Sequence, residues 1–225
     1  MPSWLALGDS YTIGEAVPEH GRWPVQLARR LRAHGVAIDE PRILATTGWT
    51  TDELAAAMDA ARLALPGDDA GTGTFDLVSL LIGVNNQYRG RPLDEYSEQF
   101  AALLARAIAL AGHRPDRVFV LAIPDWGVTP FGQDSGRDTA RIAAELDAFN
   151  AAAAAECARR GVAFVDIAPV SRACGAVLVA ADGLHPSADL HGEWARLAEP
   201  VVLRLLGAPL PPSLCRSGFS RDASV

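Results

Sequence analysis

Short apolar runs alternate along this chain with longer stretches in which apolar residues recur every three or four positions. The runs Trp4–Leu7, Arg42–Ala45, Asp76–Ile82, Arg117–Ile123 and Val162–Ile167 predict strands. The longer ones are almost wholly apolar, as strands are when helices cover both faces of a sheet. Between them, Pro24 opens a helix that runs to about His34, with Gly35 as its stop signal. Thr50-Thr51-Asp52-Glu53 has the pattern of a capping box, which opens another. Phe100, Leu103, Leu104, Ala107, Ile108 and Ala111 keep the spacing of a helix with one buried face, and so do Ile142, Leu146, Phe149 and Ala153. A last helix is expected from about Ser187 to Leu206.

Alternating strands and helices predict an α/β domain, a three-layer α/β/α sandwich around a five-stranded parallel sheet. Right-handed crossovers leave few topologies. A flavodoxin-like order 2-1-3-4-5 places strand 1 beside the topological switch point, where ligands bind beyond the carboxyl ends of strands. No repeat and no interdomain linker breaks the 225 residues, so residues 1–207 are expected to form one domain. From Ala208 to Val225 the character changes. Pro209-Leu210-Pro211-Pro212 is followed by mostly small and polar residues, which predicts a loosely structured tail.

Composition narrows the chemistry. With 49% hydrophobic residues the chain is not disordered, yet no apolar run reaches the ~18 residues of a membrane span. No basic segment with a cleavage site precedes the first strand, so a cytoplasmic location is expected. A net charge of −7 argues against nucleic acid as a partner. All 20 basic residues are arginine. The absence of lysine excludes Schiff-base chemistry, pyridoxal phosphate attachment, a Ser-Lys dyad and a P-loop. No GxGxxG follows a strand; Gly71-Thr72-Gly73 precedes one. Cys157, Cys174 and Cys215 are an odd number at wide spacing, without a disulfide framework, and the histidines form no ligand cluster. Neither a metal nor another cofactor is expected.

What remains distinctive lies at the strand ends. Trp4-Leu5-Ala6-Leu7 stops at Gly8-Asp9-Ser10-Tyr11, so Ser10 is placed like a nucleophile. A serine hydroxyl needs a base within hydrogen-bond reach. Asp182-Gly183-Leu184-His185-Pro186 offers one, because a tight turn can bring the Asp182 carboxylate to the Nδ1 proton of His185 and leave Nε2 free. Strand 2 ends at Thr46-Thr47-Gly48-Trp49, where Gly48 can present an unobstructed backbone N–H to a developing oxyanion. Strand 3 ends at Gly83-Val84-Asn85-Asn86, where the Asn85 amide can aim at the same point. Singly, each has an ordinary reading: Gly48 as a turn residue, Asn85 as a cap, Asp182 and His185 as a solvated loop pair. Together they fall on one edge of the expected sheet.

In that order, Gly8-Asp9-Ser10, Gly48, Gly83-x-Asn85 and Asp182-x-x-His185 resemble the four blocks of the SGNH (GDSL) hydrolases over residues 4–205. The resemblance implies a flavodoxin-like domain and ester or thioester hydrolysis without a metal. It implies Ser10 as nucleophile, His185 as base and Asp182 as its orienter. The Ser10 and Gly48 N–H groups and the Asn85 side chain would form the oxyanion hole. The family often carries Gly-x-Asn-Asp, whereas Asn86 follows Asn85 here, so local hydrogen bonding around that block is expected to differ. Asp9 is assigned to shaping its turn, since Asp182 already fills the acid's role.

The expected substrate is a small acyl ester, short-chain or acetyl. The runner-up readings are a thioesterase or lysophospholipase on the same scaffold and a non-catalytic flavodoxin-like binding module. Tyr11, Trp49, Tyr88, Trp126 and Phe131 are candidates for the substrate platform, or for covering the sheet edge. Asp125-Trp126-Gly127-Val128-Thr129-Pro130-Phe131 is the candidate specificity loop. Arg89 and Arg91 could reach an acidic leaving group, although exposed arginines are usually solvated.

Overall fold

Five strands, β1 (Trp4–Gly8), β2 (Arg42–Ala45), β3 (Leu77–Leu81), β4 (Val118–Leu121) and β5 (Ala163–Val165), pair in parallel in the order β2-β1-β3-β4-β5. This is a computed structural model, and the residues it describes are 1–61, 63 and 74–209. The sheet has the expected order and sense. β1 extends one residue past the expected run and β2 keeps its bounds, while β3, β4 and β5 are shorter than theirs, and residues next to the ladders make polar contacts of their own. Asp76, for example, accepts hydrogen bonds from the Ser3 backbone at 2.8 Å and the Ser3 hydroxyl at 3.1 Å. Residues 210–225, which include Cys215 and most of the expected tail, and Gly71-Thr72-Gly73 lie outside the described residues.

The helices are α1 (Ser10–Ile13), α2 (Trp23–Ala33), α3 (Thr51–Ala60), α4 (Val84–Tyr88), α5 (Leu93–Leu110), α6 (Pro130–Asp134), α7 (Thr139–Arg160), α8 (Ala168–Cys174) and α9 (Ala188–Leu205). Helices α2 and α9 pack on each other, with α8 beside α9, while α3, α5 and α7 form the other layer. Side chains of β1, β3 and β4 are buried throughout, which explains their lack of polar alternation. Trp4, Trp23 and Phe119 meet in one layer with ring centroids 5.9–6.2 Å apart, and the Trp4 indole donates to the Ser79 hydroxyl at 3.1 Å. Tyr96, Phe100 and Phe149 form a second aromatic group.

Helix boundaries follow recognisable chemistry. The capping box at Thr50 and Glu53 forms, with Thr50 N–H donating to Glu53 at 2.9 Å. Asp138 caps α7 through the Ala140 and Arg141 N–H groups, and Gly161 ends it in the left-handed conformation. Among the described residues no helix is long and apolar enough to cross a membrane.

Candidate active site

The carboxyl ends of β1, β2 and β3 bring three segments together. After β1, the Asp9 carboxylate accepts the Tyr11 N–H at 3.0 Å, and the Asp9 carbonyl accepts Thr12 and Ile13 N–H at 3.0 and 2.9 Å. Ser10 is therefore the first residue of a short helix, and its own N–H meets no acceptor among the described residues. Asp9 is fully buried and its Oδ2 has no partner. Burial pushes its carboxyl up to about 7, against the Tyr11 and Asp9 backbone N–H groups that favour the charge.

After β2, Thr46–Trp49 form a turn closed by Trp49 N–H on the Thr46 carbonyl at 3.3 Å. Gly48 sits at its third position with φ +89°, a value that glycine adopts without steric cost. The Gly48 N–H belongs to the middle of the turn and likewise meets no acceptor among the described residues.

After β3, Gly83 turns the chain into α4 with φ +128°; a Cβ there would lie 2.5 Å from the Tyr96 ring and 2.8 Å from Ile123. Helix α4 then grips the turn. Asn85 Nδ2 donates to the Trp49 carbonyl at 2.9 Å, and its second amide hydrogen makes no bond among the described residues. Asn86, fully buried, accepts Thr51 N–H at 3.1 Å and donates to the Thr51 hydroxyl at 2.7 Å. That hydroxyl donates onward to Gln99. A carboxylate at position 86 could only accept, so the amide sets the direction of this chain of bonds.

Asp182 and His185 occupy a loop pinned at its base by Ala180 N–H on the His185 carbonyl at 2.7 Å and Ser187 N–H on the Leu178 carbonyl at 2.9 Å. Asp182 Oδ1 accepts the Leu184 and His185 N–H groups, each at 2.9 Å, and Oδ2 accepts His185 Nδ1–H at 2.7 Å. Because the carboxylate can only accept, Nδ1 carries the proton and Nε2 is left as an acceptor. Burial opposes the Asp182 charge, but these three donors outweigh it and hold the carboxyl below its ordinary value.

Ser10, Gly48, Asn85 and His185 line one cleft of about 200 Å³. Of the candidate platform residues, Tyr11, Tyr88, Trp126 and Phe131 line it as well, together with Thr47, Val84 and Leu184, which the sequence did not single out. Trp49 does not; its side chain packs against the hydrophobic core. Tyr11 stands edge-on to both His185 and Trp194, with centroids 6.2 and 5.9 Å away. Tyr88, Trp126 and Phe131 form a wall with centroids 5.3–6.4 Å apart. Arg137 lies over Tyr88 at 4.3 Å and donates to its carbonyl at 2.9 Å, a contact across 49 residues that no local pattern announces. The loop carrying Trp126 is held by buried Asp125, which caps Gly127 N–H at 2.9 Å and pairs with Arg172 at 2.8 Å.

Arg91 is bound to Asp52 at 2.7 Å and Glu95 at 3.1 Å. Arg89 donates to the Gly48 carbonyl at 2.6 Å and to Glu53 at 3.3 Å. Neither lines the cleft. Among the described residues, no three His, Cys, Asp or Glu side chains gather into a group that could hold a metal ion.

Solved structures share this architecture. TesA superposes with a TM-score of 0.69 at 20% identity, over 90% of this chain and 99% of its own. The psychrotrophic esterase EstA from Pseudoalteromonas sp. gives 0.65 at 15% identity, over 92% and 100%. Axe2, an acetylxylan esterase from Geobacillus stearothermophilus, gives 0.63 at 19% identity, over 92% and 95%. No curated protein sequence matches the chain. The model of the GDSL-like lipase/acylhydrolase family matches residues 6–192. That span contains all four strand-end segments, and by it the chain belongs to the GDSL-like lipase/acylhydrolase family of carboxylic ester hydrolases.

Proposed function

We propose that this enzyme is a serine esterase acting on small acyl esters through Ser10, His185 and Asp182. The observation that carries the reading is the cleft itself. Ser10, Gly48, Asn85 and a histidine whose Nδ1 proton is tied to a carboxylate all line it, and the Ser10 and Gly48 N–H groups meet no acceptor among the described residues. In this reading Ser10 Oγ attacks the ester carbonyl while His185 Nε2 takes its proton. The oxyanion is received by the Ser10 and Gly48 N–H groups and the Asn85 amide. Asp182 stays ionised and stabilises the imidazolium. His185 then protonates the leaving alcohol, and water repeats the sequence on the acyl-enzyme.

The volume supports a short acyl group. About 200 Å³ is below the ~300–1,000 Å³ of pockets that enclose drug-sized ligands. The wall of Tyr88, Trp126 and Phe131 suits an apolar group of limited length. A panel of p-nitrophenyl esters from acetate to palmitate tests this on wild type and Ser10→Ala. Activity concentrated at the short esters and absent from Ser10→Ala is expected, as is Ser10 labelling by a fluorophosphonate. Equal activity in both proteins would overturn the serine assignment. A maximum at palmitate would overturn the small-acyl preference.

A further inference from the structure

Arg89 touches none of the groups assigned to acyl transfer through their reacting atoms, yet it reaches the turn that carries Gly48. Its Nη2 donates to the Gly48 carbonyl at 2.6 Å while Nη1 donates to Glu53 Oε1 at 3.3 Å. The other oxygen of that carboxylate accepts the Thr50 N–H at 2.9 Å and the Thr50 hydroxyl at 2.9 Å. One guanidinium thus ties the Gly48 turn to the first turn of α3. We propose that Arg89 is a positioning residue of the oxyanion hole: by holding the carbonyl of the Gly48–Trp49 peptide it restrains the rotation of Gly48, whose N–H, on the preceding Thr47–Gly48 peptide, is to face the developing oxyanion.

The inference rests on the acyl-transfer reading, and its physical basis is the weakness of the turn on its own. Glycine has the widest backbone freedom of any residue, so it is the costliest to hold still. At Gly48 no side chain restrains φ +89°, and the turn's closing bond is long at 3.3 Å. An oxyanion hole works by pre-organisation, since donors that must reorient during the reaction lose their advantage over water. The restraint has to come from outside the turn. It comes from α4 and its end, where Arg89 holds the Gly48 carbonyl and Asn85 the Trp49 carbonyl, on the two peptides that follow the one bearing the Gly48 N–H. The bond from Arg89 carries a full charge, and such bonds are roughly twice as strong as neutral ones. Arginine's fork lets a single group serve the carbonyl and the carboxylate together, which an ammonium does not reproduce.

A purely structural role makes a different forecast. The Arg89 and Glu53 side chains are 42% and 41% exposed, and pairs of that kind contribute little to stability. On that view Arg89 could be removed without any effect on turnover.

The experiment compares wild type with Arg89→Met, Arg89→Lys, Arg91→Met and Ser10→Ala, with p-nitrophenyl acetate as substrate and thermal unfolding as the check on folding. Arg89→Met should lower kcat about 10- to 50-fold with little change in KM, less than the ~10²–10³ lost when a donor is removed outright. Arg89→Lys should recover part of the loss. Arg91→Met, which removes the neighbouring ion pairs, should leave both constants unchanged. Fluorophosphonate inactivation should slow in proportion to kcat/KM, since that reaction also places an oxyanion in the hole.

Wild-type kcat in Arg89→Met, with Ser10→Ala inactive, overturns the role of Arg89 and leaves the acyl-transfer reading standing. Activity in Ser10→Ala overturns that reading itself. Equal losses in Arg89→Met and Arg91→Met assign the effect to the surface charge cluster and also overturn the proposal. Should Arg89→Met fail to fold, Arg89→Lys decides: reduced turnover there supports the proposal, and unchanged turnover overturns it, since the argument requires the fork to hold carbonyl and carboxylate together.

Discussion

Asp182 holds His185 at two points, taking its backbone N–H on Oδ1 at 2.9 Å and its ring Nδ1–H on Oδ2 at 2.7 Å. One carboxylate thus shapes the loop and orients the ring. Asp182→Asn should separate the two duties. The amide oxygen can still accept the backbone N–H groups, but an amide placed against Nδ1–H cannot hold the same tautomer. A fall in kcat of up to ~10⁴ with little change in unfolding temperature is the expected outcome. A matching loss of fold and activity would show that loop shape alone was at stake.

Asn85 donates one amide hydrogen to the Trp49 carbonyl and lines the cleft, where its other hydrogen is the proposed oxyanion donor. Asn85→Ala should reduce kcat by ~10²–10³ while the protein stays folded. Wild-type turnover in that variant would remove Asn85 from the oxyanion hole.

At Asn86 the departure from the family's usual Asn-Asp pair has a structural counterpart. Asn86→Asp places a carboxylate where an amide donates to Thr51, and the hydroxyl must turn from Gln99 to the new acceptor. The fully buried position disfavours the charged form. Urea unfolding should show a loss of about 1–3 kcal/mol at pH 8 that shrinks on acidification. A loss independent of pH would mean that the charge is not its source.

Two buried groups pull the pH dependence of stability in opposite directions. Asp9 is pushed up to about 7 by burial, so between its ordinary range and pH 7 the native state keeps a proton that the unfolded chain has released. Its contribution is complete below the unfolded value and is lost as pH rises through 7. His191 is pushed down to about 3, chiefly by burial and secondarily by its neighbour His185. Its Nδ1 accepts the Trp23 N–H at 3.3 Å, and its Nε2–H is buried without a partner. From pH 6.5 downward the unfolded chain takes up a proton that native His191 refuses, so its contribution is present above 6.5 and lost toward 3. The two slopes oppose each other over the shared window. Asp9→Asn should unmask the histidine, and the stability of the variant relative to wild type should rise from pH 4 to 7 by as much as ~1.4 kcal/mol per unit. A difference that is flat with pH would refute this account.

The strands were legible because both faces of β1, β3 and β4 are buried, which writes them as nearly continuous apolar runs, with Ser79 the one polar side chain. The strand-end segments were legible because glycine, serine and asparagine punctuate those runs. Helix α4 was not, since five residues carry no period and its start depends on Gly83 at φ +128° against Tyr96. Helix α8 is almost as short, and its Arg172 finds Asp125 across 47 residues. Trp49 looked like a platform residue because it follows Gly48, but the turn sends its side chain to the core and only its carbonyl toward Asn85. Arg89 and Arg91 looked alike in sequence. Their separation into a grip on Gly48 and an ion pair with Asp52 depends on a turn some forty residues earlier.

The cleft wall and the loop bearing His185 are joined by a backbone hydrogen bond. Phe131 N–H donates to the Gly183 carbonyl at 3.0 Å, two residues before His185. Where His185 is the base, as proposed, an acyl chain bulky enough to displace Phe131 drags on the histidine as it enters. On that reading excess length lowers turnover as well as affinity, because one backbone contact joins the wall that meets the substrate to the residue that takes its proton.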